Sequence, residues 1–160
     1  MKNKRIGKTL LKITILVTLI VTRIFLGLKM GTWFASNQYY DDALLAKYAI
    51  YGKYSSNNPL SLIKMMGFPW FLQLVSASHL SYPLVLTLVW VIVALLGMLF
   101  IRQFHKNKKL EYFVFLYFLF FPTAFEFHMG TRMYRNSLLT PFYFIVFLLI
   151  LYIGIKIIHL

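Results

Sequence analysis

Two adjacent carboxylates, Asp41 and Asp42, are the residues whose types and spacing most suggest chemistry. The chain has four acidic residues against 17 lysines and arginines, a net charge of +13. Two carboxylates this close repel each other, so one holds its proton more tightly or the two share a cation. The pair is therefore predicted to act as a general base or to hold a divalent cation, Mg²⁺ or Mn²⁺. Capping of a helix that begins here is the alternative, and it explains one carboxylate better than both.

Four cations form a second group of candidates. Lys64, Arg132 and Arg135 are expected on the same outer face as the acidic pair, and such side chains are the usual ligands of phosphate oxygens. Their alternative role is to reach lipid headgroups. Arg23 lies inside the first apolar stretch, where a charge costs at least about 2.5 kcal/mol, so it should face protein or a polar cavity. It is expected to pair with Glu126, to contact a phosphate, or to reach the outer interface.

The composition places these residues in an integral membrane protein. Hydrophobic residues make up 60% of the 160-residue chain, and the mean hydropathy is +0.71, well above a soluble domain. The absence of cysteine excludes disulfides and thiolate chemistry. The basic residues flank apolar segments, which favours membrane orientation over a nucleic-acid partner.

The hydropathy pattern predicts an all-α membrane protein with about four transmembrane helices in one domain, 1–160. A bilayer crossing needs about 20 apolar residues, and four stretches qualify: 11–30, 82–101, 110–127 and 138–158. The basic N-terminus and the basic loop 102–109 are expected in the cytoplasm, which makes the protein multi-pass with a cytoplasmic N-terminus. The first span resembles a signal peptide but is too long for one, so it is expected to stay uncleaved.

The outer loop, about 31–81, is predicted to carry interfacial helices. A short amphipathic helix is expected from Asp41 to Tyr51, ending near Gly52. The segment 59–80 is interrupted by Gly67 and Pro69, and a crossing there would put the basic loop outside. It is therefore expected to be interfacial or re-entrant. A loop this long in a small protein is a typical place for function.

Three short motifs resemble a known family. Tyr40-Asp41-Asp42 follows the first span, Lys64-Met65-Met66-Gly67-Phe68-Pro69 precedes the second, and Arg132-Met133-Tyr134-Arg135 follows the third. Together they resemble the N-terminal part of a bacterial polytopic membrane glycosyltransferase of the GT-C type. That superfamily includes the polyprenyl-phosphate-sugar-dependent mannosyl- and arabinosyltransferases. Asn136 stands where the pattern has an acidic residue, which is a departure from the family.

The resemblance implies a partial GT-C-like fold and a transferase function in the bacterial cell (inner) membrane. A sugar would pass from a polyprenyl-phosphate donor to a cell-envelope acceptor on the outer face. Asp41 or Asp42 would be the catalytic base or metal ligand, and Lys64, Arg132, Arg135 and Arg23 would hold the donor phosphate.

Members of this family are usually several times longer, so the resemblance implies a module that is inactive alone or that needs a partner membrane subunit. Two alternatives stay open. One is a small four-helix carrier or flippase for a lipid-linked sugar, and the other is a non-catalytic accessory subunit. The long outer loop favours the enzyme over a compact carrier.

Overall fold

The computed structural model describes residues 2–31, 67–105, 107–125 and 135–158. Within these ranges the chain is helical and contains no strand, which confirms the all-α class. The elements in chain order are α1 (Lys2–Met30), α2 (Gly67–Ala77), α3 (Tyr82–Phe104), α4 (Lys108–Leu119), a 3-10 helix (Pro122–Phe125) and α5 (Arg135–Ile158).

Three of the described helices are long and apolar enough to cross a membrane. They are α1 over Thr9–Met30, α3 over Tyr82–Phe104 and α5 over Asn136–Ile157. These helices contain the predicted spans 11–30, 82–101 and 138–158, which supports a multi-pass membrane protein. The expectation of four spanning helices is wrong, because the stretch 110–127 forms no continuous helix.

The third predicted span is interrupted by Pro122. Helix α4 has 12 residues, about 18 Å of rise, against about 30 Å of hydrocarbon. A residue before proline is driven away from the helical conformation, and the helix accordingly ends before Phe121-Pro122. The 3-10 helix follows at once, with the Ala124 amide donating to the Phe121 carbonyl at 2.9 Å. Hydropathy alone missed this break because Pro122 lies among aromatic residues.

Helix α3 is the centre of the described structure. Of its apolar window 44% is buried by protein, against 11% for α1 and 17% for α5. Gly97 lets α4 come close to α3, since a β-carbon there would lie 2.8 Å from the Phe118 ring. By contrast, α1 leaves large apolar side chains exposed along most of its length, as a lipid-facing helix does.

The contacts show how the helices run. Gly27 of α1 meets Thr87 of α3, whereas Leu16 packs near the middle of α3, so α1 and α3 are antiparallel. Trp90 stacks on Phe121 at 5.2 Å, so the chain after α3 turns back along it. The start of α1, the end of α3 and the start of α4 therefore share one end of the molecule. We call this the basic end, because the lysines and arginines of the N-terminus and of the loop 102–109 belong to it.

The opposite end contains the end of α1 and the starts of α3 and α5. Helix α5 runs parallel to α3, because Phe144 packs near Trp90 and Tyr152 hydrogen-bonds Gln103 farther along. Helix α2 packs its apolar face on the start of α3, and its Phe71 ring lies edge-on to Tyr82 at 6.3 Å. With 11 residues, about 16 Å, α2 is too short to cross a bilayer.

Candidate functional site

Arg23 is the predicted site residue whose surroundings the structure describes. It lies in α1 seven residues before Met30, about 10 Å from that end of the helix and about 21 Å from Thr9. Only 2% of its surface is exposed, so it faces protein, as the cost of a charge in lipid requires. A guanidinium is thus enclosed in the half of the helix bundle nearer the opposite end.

A close helix crossing places a hydroxyl beside this guanidinium. Gly27 lies one turn after Arg23, and Thr87 of α3 packs directly against it. A β-carbon on Gly27 would collide with the Thr87 hydroxyl and would lie 3.2 Å from Arg23 Nη1. Glycine therefore allows α1 and α3 to approach closely, and Thr87, itself 3% exposed, lies at the same crossing as the guanidinium.

An aromatic ring covers the guanidinium on another side. The Arg23 Cζ atom lies 4.3 Å from the centroid of Phe125, which ends the 3-10 helix. Phe125 is held in turn by a parallel stack with Phe120 at 6.3 Å. A desolvated cation–π contact of this kind contributes about 2 kcal/mol. The break at Pro122 therefore has a structural consequence, since it brings Phe125 over Arg23 instead of continuing α4. We call Arg23, Gly27, Thr87 and Phe125 the Arg23 cluster.

The charge of Arg23 is only partly offset by the described residues. Its Nε and Nη1 atoms are buried, and neither has a hydrogen-bond acceptor among the described residues. The one acidic side chain in that part of the chain, Glu111, pairs with Lys108 at 2.6 Å near the basic end. Two buried donors lack an acceptor within the described ranges, and a donor left without one costs about 1–3 kcal/mol.

The chemistry of the cluster suits an anion. A guanidinium with free parallel donors binds phosphate or carboxylate oxygens in a two-pronged contact. A metal ion would be repelled by the same charge, and no group of three or more potential ligands occurs among the described residues. What the cluster can do is bind and orient an oxyanion. It contains no described general base.

The other predicted site residues lie outside the described residues. These are Asp41, Asp42, Lys64 and Arg132, together with Glu126 as the expected partner of Arg23. Arg135 begins α5, but its side chain is also outside what the structure describes. Their roles therefore stay predictions. Glu126 directly follows Phe125 in the chain, so it remains a candidate partner of Arg23.

Three residues of the cluster were not singled out from the sequence. Gly27 follows Arg23 at i+4, so its position on the same helix face could have been noticed. Thr87 is a hydroxyl in an apolar run, which is a weak signal. Phe125 is one of 16 phenylalanines, and nothing in its sequence neighbourhood distinguishes it.

Comparisons with models of protein families, with curated proteins and with solved structures find no match.

Proposed function

We propose that the protein binds the phosphate of a lipid-linked sugar at the Arg23 cluster and acts as a membrane glycosyltransferase module of the GT-C type. The observation that carries the proposal is a nearly fully buried guanidinium with two donors that have no acceptor among the described residues. A buried charge that serves only stability is normally paired. An anionic substrate group would supply the missing acceptor.

The depth of the cluster supports a lipid substrate. Arg23 Nη1 reaches toward Gly27, three residues before the end of the membrane-spanning stretch, so the charge lies about one helical turn inside the interface. The phosphate that joins a polyprenyl chain to a sugar would lie near this level, with its chain in the hydrocarbon. The positive-inside rule places the basic end in the cytoplasm, so the cluster would open toward the outer leaflet.

The remaining roles follow the family resemblance. Asp41 or Asp42 would take the proton from the acceptor hydroxyl or hold a divalent cation, Mg²⁺ or Mn²⁺, near the phosphate. Lys64, Arg132 and Arg135 would add positive charge on the outer side. The acceptor would be a component of the bacterial cell envelope, and a partner membrane subunit would supply further helices.

The binding step is tested with the full chain in lipid nanodiscs. A radiolabelled polyprenyl-phosphate sugar is titrated, and the bound fraction is measured after affinity capture. Arg23→Gln is expected to weaken binding roughly ten- to hundred-fold, because hydrogen bonds to a charged group are lost. Arg102→Gln is the matched control, since Arg102 is exposed near the basic end and should leave binding unchanged. Equal binding by wild type and Arg23→Gln would refute the phosphate site.

The transfer step needs a separate test. Membranes expressing the protein are incubated with the same donor, and label is followed from the lipid fraction into the envelope fraction. At least one of the two substitutions, Asp41→Asn or Asp42→Asn, is expected to abolish transfer, because a general base acts in the chemical step. Both variants should bind the donor within about three-fold of the wild type. Transfer that survives both single substitutions and the double substitution would exclude these residues as base or metal ligand.

A carrier for lipid-linked sugars is the second candidate, and the break after α4 favours it. Broken helices inside a membrane occur where the backbone lines a cavity or is covered by protein, and they are common at the binding sites of transporters. A carrier would move the intact donor between leaflets of a proteoliposome without cleaving it. Asp42→Asn would then leave movement intact, whereas Arg23→Gln would slow it.

A further inference from the structure

We infer that Phe125 is a positioning residue that holds the Arg23 guanidinium in place for phosphate, an inference that rests on the proposed function of the Arg23 cluster. The Cζ atom of Arg23 lies 4.3 Å from the centroid of the Phe125 ring. The Nε and Nη1 atoms of the same guanidinium are buried and have no hydrogen-bond acceptor among the described residues. The ring therefore attracts the cation without occupying these donors.

A carboxylate partner would hold Arg23 in a different way. It would accept hydrogen bonds from the guanidinium, and the same N–H groups would then be unavailable to a substrate. An aromatic face attracts the positive charge as a whole, so the donors at the edge of the guanidinium stay available to an oxyanion. Phe125 is thus expected to keep Arg23 in place both before the phosphate binds and while it is bound.

The position of Arg23 in the helix explains why it needs such a contact. Its Nη1 atom reaches toward Gly27, and the membrane-spanning stretch ends three residues later at Met30. Arginine side chains near a helix end turn toward the polar interface when nothing holds them. If the binding orientation is populated only part of the time, the apparent affinity falls by the same fraction. The contact with Phe125 is expected to prevent this loss.

The Phe125 ring is itself fixed by the local structure. Phe125 ends the 3-10 helix Pro122–Phe125, and the Phe120 ring stacks on it at 6.3 Å with 10° between the ring planes. Phe120 directly follows Leu119, which is completely buried in the helix bundle. The bundle therefore holds the ring in place, and the ring in turn holds the flexible side chain of Arg23.

The binding experiment changes the charge distribution of the ring while keeping its shape. The full chain in nanodiscs carries mono-, di- or trifluorinated phenylalanine or cyclohexylalanine at position 125, and binding of the polyprenyl-phosphate sugar is measured. Fluorine withdraws negative charge from the ring face, so the affinity should fall with each added fluorine and should be roughly ten-fold below the wild type with cyclohexylalanine. Phe125→Leu should bind equally weakly. Phe113→Leu is the control on an exposed phenylalanine and should bind like the wild type.

A second measurement follows the guanidinium without any ligand. Protein with ¹⁵N-labelled arginine is prepared in nanodiscs, and the Arg23 signal is assigned from its loss in Arg23→Lys. The relaxation enhancement of this signal by a water-soluble paramagnetic chelate reports how close the guanidinium lies to water. We expect the enhancement in Phe125→Leu to be at least about two-fold larger than in the wild type, because the side chain turns toward the interface.

The outcomes separate this inference from the proposed function. If Arg23→Gln loses phosphate binding and the proteins with fluorinated phenylalanine or cyclohexylalanine retain it, the role of Phe125 is refuted while the Arg23 site stands. If the chelate reaches Arg23 equally in the wild type and in Phe125→Leu, the ring does not hold the guanidinium and the inference is overturned. If Arg23→Gln binds phosphate like the wild type, the proposed function fails and takes this inference with it. Far-UV circular dichroism and the thermal midpoint confirm that each variant is folded.

Discussion

Two neighbouring regions of the helix bundle both involve α1 and α3, and side chains of different chemistry lie in each. The first, which we call the apolar cluster, joins Val91 and Ala94 of α3 to Phe115 and Leu119 of α4, with Leu16, Leu19 and Ile20 of α1 packed against them. The second is the Arg23 cluster, about one turn farther along α1. Apolar packing stabilises the first region, whereas the second encloses a charge that costs stability. Such a cost is typical of a binding site.

The contrast arises where α4 ends. While α4 runs beside α3, its side chains fill the space between α1 and α3, and Phe115 and Leu119 are completely buried. Beyond Leu119 the chain turns into the 3-10 helix, and a single ring, Phe125, covers Arg23 instead of a continuing helical face. The surroundings of α1 and α3 are therefore apolar beside α4 and contain the Arg23 charge beyond the end of α4.

The largest expected effect is the loss of apolar packing at Phe115. Phe115→Ala leaves a cavity at a fully buried position and should lower the free energy of unfolding by about 3–5 kcal/mol. The measurement is reversible unfolding in mixed micelles. Phe113→Ala is the control, because Phe113 is 65% exposed on the same helix and its loss should change stability little. Equal effects of the two substitutions would mean that the apolar cluster does not hold the bundle together.

The opposite sign is expected in the Arg23 cluster. Arg23→Leu replaces a buried charge, incompletely paired among the residues that the structure describes, with an apolar side chain and should raise the free energy of unfolding by about 2 kcal/mol. The same micelle assay measures it. If Arg23 is instead paired with Glu126 for stability, Arg23→Leu would destabilise by about 3–5 kcal/mol, since the carboxylate would be left unpaired. Glu126→Gln would then show a comparable loss.

The close approach of α3 and α4 gives a smaller effect. Gly97→Ala forces a methyl group against the Phe118 ring at 2.8 Å and should destabilise the bundle by about 1–2 kcal/mol, after the better helix propensity of alanine is included. Gly154→Ala is the matched control, because nothing lies within 4 Å of the added carbon. That variant should be neutral or stabilised by up to about 1 kcal/mol. A neutral Gly97→Ala would show that the Phe118 ring can move aside.

The smallest effect concerns the start of α4 at the basic end. The Asn107 side chain accepts a hydrogen bond from the Lys109 amide at 3.0 Å and caps the helix. Asn107→Ala should cost about 1 kcal/mol, and Asn107→Ser should cost little because serine also caps. Phosphate binding at the Arg23 cluster should be unaffected by either. A change in binding would mean that the two ends of α4 are coupled.

The sequence predicted the long helices well and the broken one poorly. The spans 11–30 and 82–101 fall within α1 and α3 because about 20 apolar residues without an interruption have few alternatives in a membrane. The stretch 110–127 has similar hydropathy, but Pro122 removes a backbone donor and stops the helix. A rule that averages hydropathy over a window does not register one proline.

The Arg23 cluster was predictable from the sequence only in part. Burial of Arg23 follows from the cost of a charge in lipid, which depends on Arg23 alone. Its partners depend on how α1 and α3 are aligned, since Gly27 and Thr87 are 60 positions apart in the chain. The small side chain that permits the crossing is recognised only once the two helices are placed together. The roles of Asp41 and Asp42 stay predictions, because both lie outside the described residues.

The central claim is that the Arg23 guanidinium contacts a lipid-linked phosphate, and distance-dependent solid-state NMR tests it directly. Protein with ¹⁵N-labelled arginine is reconstituted with a polyprenyl-phosphate sugar, and ³¹P dephasing of the guanidinium nitrogen signals is recorded. We predict dephasing that corresponds to an N–P contact of about 4 Å, consistent with hydrogen-bonded N and O atoms, and its loss in Arg23→Lys but not in Arg102→Lys. Dephasing that is absent in the wild type, or that persists in Arg23→Lys, would contradict the account.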